Sequence, residues 1–207
     1  MNAFWLKVTA LAAMLADHVG AVFFGWLTVS LFGNDWEILR IIGRIAFPIL
    51  AYQIAEGAGH TSNWKKYALR LLLFGLISEI PYDLALYGTF SWDHQNVYIT
   101  LLLGLLAIRA AVLCMAAGWG MRCDYSFFGV LLIYWFYLTR TEANMMVLGN
   151  AVIEFSMGGL QPFGLLGLVP ISFYNHQKGY HGKWMQYAFY LFYPVHLAVI
   201  GCIRFLV

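Results

Sequence analysis

Apolar residues fill this chain in long runs, separated by short polar and charged clusters. Five runs are clear: 8–32, 38–54, 69–87, 97–117 and 185–207. As helices rising ~1.5 Å per residue, they cross most or all of a hydrocarbon core about 30 Å thick. Three shorter runs follow in the second half, at 127–138, 144–155 and 162–174. The second of these carries Asn150 and Glu154, and the third Pro170. Segments of that length are tilted, re-entrant or buried by neighbours. No run alternates apolar with polar residues, which excludes a β-barrel. The pattern predicts an all-α polytopic integral membrane helix bundle of about eight transmembrane helices. Residues 1–207 form a single domain, with no linker, low-complexity stretch or internal repeat.

Composition agrees. The chain is 62% hydrophobic and 11% charged, against about 25% charged residues in soluble domains. A net charge of +2 argues against nucleic-acid binding. Cys114, Cys123 and Cys202 lack metal-ligand spacing and read as apolar fillers, so no metal is expected. Short-loop Lys and Arg set the orientation. The connection 60–70 holds Lys65, Lys66 and Arg70 without an acid, so it and the N-terminus with Lys7 are expected in the cytoplasm. The connection 88–96, with Asp93, fits the outside, and the loop holding Arg122 fits the inside. An eight-span count puts 175–184 outside, although it carries Lys178 and Lys183.

The ionisable residues inside the runs carry the functional signal. They include Asp17, Glu56, Glu79, Asp83 and Glu154, with Arg40, Arg44, Arg109 and Arg204, and with His18 and His196. Such residues cost roughly 2.5–3.5 kcal/mol at a helix centre, so they face a protein interior or a polar cavity. Asp17 and His18 sit in the middle of the first run and are expected near the midplane. Lys7 and His18, eleven residues apart, share one helix face. Arg40 and Arg44 share another, as do Glu79 and Asp83 around Pro81. Adjacent residues point ~100° apart, so Asp17 is not expected to orient the His18 ring. A carboxylate of another helix (Glu56, Glu79 or Asp83) is the expected partner. A buried neutral histidine suits general-base work on an amine or hydroxyl attacking a thioester. A proton relay in a transporter uses the same residue types.

Several strings resemble the TraX family of bacterial membrane proteins. They are Met14-Leu15-Ala16-Asp17-His18-Val19-Gly20, Leu39-Arg40-Ile41-Ile42-Gly43-Arg44-Ile45-Ala46-Phe47-Pro48, and Glu56-Gly57 before His60-Thr61. Tyr67 with Arg70-Leu71, Ile77-Ser78-Glu79-Ile80-Pro81-Tyr82-Asp83, Gln95-Asn96-Val97, and Asp124-Tyr125 with Gly129 follow. Tyr174-Asn175 and Phe189-Tyr190-Leu191-Phe192-Tyr193-Pro194-Val195-His196-Leu197 complete the set, which spans Lys7 to Leu197. The resemblance implies an acyltransferase of the bacterial inner membrane: the family's name-giving member acetylates the N-terminus of conjugative pilin. It also implies a distant likeness to larger membrane acyltransferases fed by acyl-CoA.

What the resemblance implies for residues is this. His18 is the candidate base, with Asp17, Glu79 and Asp83 the accompanying catalytic candidates. Arg40 and Arg44 would hold phosphate or carboxylate, or pair structurally with Glu79 or Asp83. By their position on the expected cytoplasmic side, Lys7, Lys65, Lys66 and Arg70 would meet the phosphates of acetyl-CoA or another acyl-CoA. Glu56, Gln95, Asn96, Tyr174, Asn175, Tyr193 and His196 complete the candidate binding set. Asn96 reads equally as a helix N-cap, Tyr174 and Asn175 as an interfacial aromatic and a cap, and His196 as a hydrogen-bonded structural histidine. The acceptor stays open among a peptide N-terminus, a glycan, a lipid and a small amine. The competing function is a small proton-coupled transporter or flippase. A third is a non-catalytic assembly partner in a membrane complex.

Overall fold

The computed structural model describes residues 1–180 and 182–206. Helix α1 runs Ala3–Phe23, its N-terminus capped by the Asn2 side chain, which accepts from the Trp5 amide. It ends well short of residue 32. A short antiparallel hairpin follows, β1 (Thr28–Leu31) and β2 (Asn34–Glu37), pairing Leu31 with Asn34. Its two turn residues, Phe32 and Gly33, have φ of 54° and 79°, as a two-residue type I′ connection requires. The first run is therefore a helix plus a hairpin. His18 lies about 7 Å from the end of α1, by helical rise, and not at mid-helix.

Helices α2 (Ile38–Arg44) and α3 (Ala46–His60) form one nearly continuous rod. Helix α4 (Trp64–Leu86) passes through Pro81 without ending. Helix α5 (Val97–Gly120) is interrupted at Ala110 (φ −145°, ψ 60°), and the chain folds back there. Arg109 lies over the Trp64 ring at the start of α4, 5.0 Å away. Asp124 and Arg122 are back beside Gln95, with backbone hydrogen bonds of 2.9 and 3.2 Å. The loop with Arg122 thus shares a side with 88–96, which corrects the expectation that the two lie on opposite sides. Helices α6 (Ser126–Leu138) and α7 (Ala143–Met157), a 3-10 stretch Gln161–Gly167, short α8 (Leu168–Ser172) and long α9 (Lys183–Leu206) complete the bundle.

The fold at Ala110 adds a leg that an unbroken 97–117 span lacks. It reverses the expected side of 175–184. The Met1 ammonium donates to the Phe173 carbonyl at 2.5 Å, and the Asn175 amide donates to the Met1 carbonyl at 2.9 Å. Lys178 and Lys183 therefore join Lys7, Lys65, Lys66 and Arg70 at one end of the bundle, called here the N-terminal side. The lysines that broke the charge rule obey it once the leg is included.

Among the described residues, three stretches are long and apolar enough to cross a membrane: Ala3–Phe23, Ile38–His60 and Lys183–Leu206. Packing adds to this. Leu69, Leu73, Leu76 and Ile80 on α4 are exposed, as are Leu191, Val195 and Val199 on α9. Each set follows helical spacing, and such apolar stripes need lipid or protein cover. The architecture predicts paired accessibility. In a background without the native cysteines, single cysteines at 93 and 121 should react together with an impermeant thiol reagent. Cysteines at 65 and 178 should react only from the other face. A residue-121 cysteine that groups with 65 would refute the hairpin at Ala110.

Candidate functional site

One face of α1 forms the floor of the site. Lys7, Leu11, Met14 and His18 follow each other at four-, three- and four-residue steps, which keeps them on one stripe. Lys7, Leu11 and Met14 line one cavity of about 330 Å³, while Met14 and His18 line a second of about 280 Å³. The two cavities share a wall of Met14, Leu50, Val97 and Tyr193.

His18 is buried, and its partner is another histidine. His18 Nδ1 lies 2.7 Å from His196 Nε2, and His196 Nδ1 lies 2.7 Å from the Phe192 carbonyl. A carbonyl only accepts, so His196 Nδ1 carries the proton. In the neutral ring Nε2 then accepts, and His18 Nδ1 must donate to it. This chain of hydrogen bonds leaves the lone pair of neutral His18 on Nε2. His18 lines the cavity, so the ring that borders this polar chamber keeps one nitrogen free to accept a proton. The carboxylate partner expected from Glu56, Glu79 or Asp83 is absent among the described residues, because all three are held elsewhere.

Asp17 points off the His18 stripe, as adjacency requires. Its Oδ1 accepts from Arg44 Nη2 at 2.5 Å and from Arg40 Nε at 3.1 Å. This rules out the alternative in which the arginines pair with Glu79 or Asp83. Two glycines permit it. A Cβ on Gly43 would collide with the Asp17 side chain, and one on Gly20 would come within 2.6 Å of Leu39 Cβ. Helix α2 can thus press both arginines against α1. Tyr82, Tyr87, Asp124 and Tyr125 line the same cavity, and the Tyr82 hydroxyl reaches Asp124 Oδ1 at 3.4 Å. None of these four stood out as a site residue in the sequence, although Tyr82, Asp124 and Tyr125 lie within the family-like strings; Tyr87 lies one helical turn beyond Asp83. Next to Asp124, burial pushes the Cys123 thiol up to about 11, so this cysteine stays protonated and inert.

The cavity on the N-terminal side is rimmed by cations. Lys7, Arg70, His60 and Lys178 line it with Gln53 and Gln186. Lys7 lies 5.4 Å from the Phe189 ring centroid, and Arg70 5.5 Å from that of Tyr67. A third cavity of about 390 Å³ continues from it, sharing Lys7, Gln53, His60, Lys178 and Phe189 and adding Glu56, Tyr174 and His176. Glu56 Oε1 lies 3.1 Å from His176 Nδ1. Burial, then the nearby Glu56 carboxylate, raises the Tyr174 phenol above its usual value, so its hydroxyl remains a donor.

The remaining candidates lie away from both chambers. The Glu79 carboxylate accepts from the Asn96 backbone amide at 3.3 Å and from the Asn96 side chain. Asn96 also caps α5 by accepting from the Tyr98 amide at 3.0 Å. Asp83 accepts from the Ser91 amide at 3.0 Å. Neither acid lines the His18 cavity; both tie down the connection that starts α5. Gln95 makes the backbone bridge to Cys123. Asn175 accepts from the Gln177 amide at 3.2 Å, a local turn bond. Lys65 and Lys66 are exposed on the N-terminal side and line neither cavity.

Comparison with known proteins decides the family. The TraX protein family model matches residues 3–204. The chain belongs to the TraX family. A curated relative in Dichelobacter nodosus, named "Probable fimbrial assembly protein FimC, serogroup H1", is 33% identical over 240 aligned residues. The match covers 96% of this chain and 94% of that one. No solved structure matches. Seen as a TraX protein, the chain places the family strings in two clusters. Asp17-His18, Arg40/Arg44, Asp124-Tyr125 and Tyr193 meet at one chamber, with His196 behind His18. The Glu56-Gly57, His60-Thr61, Tyr67/Arg70 and Tyr174 strings meet at the other.

Proposed function

We propose that this TraX protein is a membrane acyltransferase that moves an acetyl group from acetyl-CoA to an amine or hydroxyl, with His18 as general base. The observation that carries this reading is a His18 ring whose Nε2 lone pair is left free and which lines a chamber one side chain away from a cation-rimmed cavity. Lys7 and His18 are about 16 Å apart along α1 by helical rise, a span comparable to an extended pantetheine arm. The phosphates of CoA would sit among Lys7, Arg70 and Lys178, and the thioester would reach the Met14–Tyr193 wall. The acceptor would enter from the side of the hairpin, past Arg40 and the exposed Tyr87 and Asp124. His18 would take its proton as it attacks.

Basic residues gather on the N-terminal side, which supports an inner-membrane orientation with that side in the cytoplasm, where acetyl-CoA is made. The fimbrial name of the relative favours a peptide N-terminus as acceptor.

The test is transfer from labelled acetyl-CoA to a short peptide with a free α-amino group, using purified protein in nanodiscs. CoA-dependent acetylation is expected. Proton-dependent uptake in liposomes without any transfer would replace this reading with the transporter. The donor site adds a finer expectation. Lys7→Met and Arg70→Met should each raise KM for acetyl-CoA about tenfold or more, with a smaller change in kcat, since phosphate contacts hold ground and transition states alike. Lys65→Met, outside the cavities, should change KM little. Equal effects at 65 and 7 would move the donor to the open surface.

A further inference from the structure

Acyl transfer from a thioester needs more than a base. When the acceptor attacks the carbonyl carbon, the C=O pair moves onto oxygen, and that oxyanion needs a positioned donor. Tyr193 meets the requirements. It is 2% exposed, on α9, and lies in the wall common to the two chambers. Its ring centroid is 5.9 Å from that of His18 and 5.7 Å from that of His196. The Val97 amide at the start of α5 approaches its hydroxyl oxygen, and the hydroxyl proton meets no acceptor among the described groups. A buried hydroxyl proton without an acceptor costs free energy, so its retention in the wall calls for a ligand that accepts.

The neighbouring tyrosines differ. Tyr82 reaches Asp124, and the Tyr98 hydroxyl donates to the Tyr190 carbonyl at 2.8 Å. The cations of the His18 chamber are also less suited: Arg44 and Arg40 both donate to Asp17. They line only the His18 chamber, whereas Tyr193 also lines the Lys7 cavity, so a thioester arriving from the Lys7 side meets Tyr193 first.

We propose that the Tyr193 hydroxyl donates the hydrogen bond that stabilises the oxyanion of acyl transfer, an inference that rests on the acyltransferase reading above. In this sequence the acceptor X–H gives its proton to His18 Nε2 as X bonds to the acetyl carbon. The carbonyl π pair moves to oxygen, where the Tyr193 O–H meets it. The pair then returns to re-form C=O, the C–S bond breaks, and the leaving thiolate takes the proton back from His18. Acetyl-CoA and the acceptor become CoA-SH and the acetylated product, with no other reactant.

The experiment compares wild type, His18→Ala and Tyr193→Phe, with acetyl-CoA as donor and both hydroxylamine and the amino-terminated peptide as acceptors. Phenylalanine keeps the ring packing against Tyr98 (5.2 Å between centroids) and removes only the hydroxyl. Tyr193→Phe should lower kcat roughly 10²–10³-fold, leave KM for acetyl-CoA within about twofold, and melt at the wild-type temperature or slightly above. A kcat near wild type, or a loss confined to KM, overturns the role. If wild type transfers, His18→Ala does not, and Tyr193→Phe is unaffected, this inference fails while the acyltransferase reading stands. No transfer by wild type to either acceptor overturns both.

Discussion

A His18→Ala protein should bind acetyl-CoA with near-normal affinity and lose transfer by about 10²–10⁴-fold, or roughly 3–5 kcal/mol of barrier. The relay through His196 makes the expectation sharper than a single deletion. His196 does not line the chamber; it accepts from His18 Nδ1 and so fixes which nitrogen is basic. His196→Ala should therefore lower kcat by tenfold or more with little effect on KM. His196→Gln, whose amide oxygen can accept the same proton, should restore much of the loss. His18→Gln can donate to His196 but offers no base, and should stay inactive while keeping its stability. Rates and melting temperatures of all four variants decide the matter. A stable His18→Gln or His18→Ala protein with near-normal transfer refutes the catalytic assignment.

Parts of this arrangement were legible in the sequence because helical spacing is strict. The shared face of Lys7 and His18, eleven residues apart, appears as one stripe beneath two chambers. So does the divergence of Asp17 from His18, which sends one to the arginines and the other to α9. Partner choice between helices was not legible, since periodicity gives the face of a side chain but not the helix opposite it. The arginines could meet Asp17, Glu79 or Asp83 by charge alone. Gly43 and Gly20 decide for α1 by letting α2 approach it, and Glu79 and Asp83 are engaged by Asn96 and Ser91.

The two errors of topology have different causes. The hairpin at 28–37 was hidden in an apolar run that continues to Phe32. The signal that could have found it is Gly33-Asn34 after the β-prone Thr28-Val29-Ser30-Leu31. The fold at Ala110 has no such mark. It falls in Ala110-Ala111, with neither proline nor glycine, and alanine is the best helix former. Tertiary contacts impose the break. A Cβ on Gly118 would come within about 3 Å of Val130 and the Ser126 carbonyl, so glycine there eases the close approach of the returning leg to α6. The charge rule for Arg122 then failed because the leg was missing from the count.

The Asp17–Arg44 pair carries the largest expected effect on stability. Arg44 is 7% exposed and the Asp17 side chain 14%, so removing the carboxylate leaves a buried cation unpaired. Asp17→Leu should destabilise the protein by about 3–5 kcal/mol. Arg44→Leu should cost less, because Asp17 keeps Arg40, whose side chain is 30% exposed. The double variant Asp17→Leu/Arg44→Leu should recover part of the loss, giving a coupling of about 1–3 kcal/mol, since apolar replacement of a whole buried pair is often close to neutral. Asp17→Asn keeps one acceptor oxygen and should fall between wild type and Asp17→Leu. Its transfer rate should track its folded fraction, because the carboxylate positions the arginines and does not touch His18. Thermal unfolding in one fixed detergent, with transfer measured below each transition, separates these outcomes. Additive losses in the double variant would show that the pair does not act as a unit. A fully folded Asp17→Asn protein without transfer would move Asp17 from the wall of the chamber into the reaction itself.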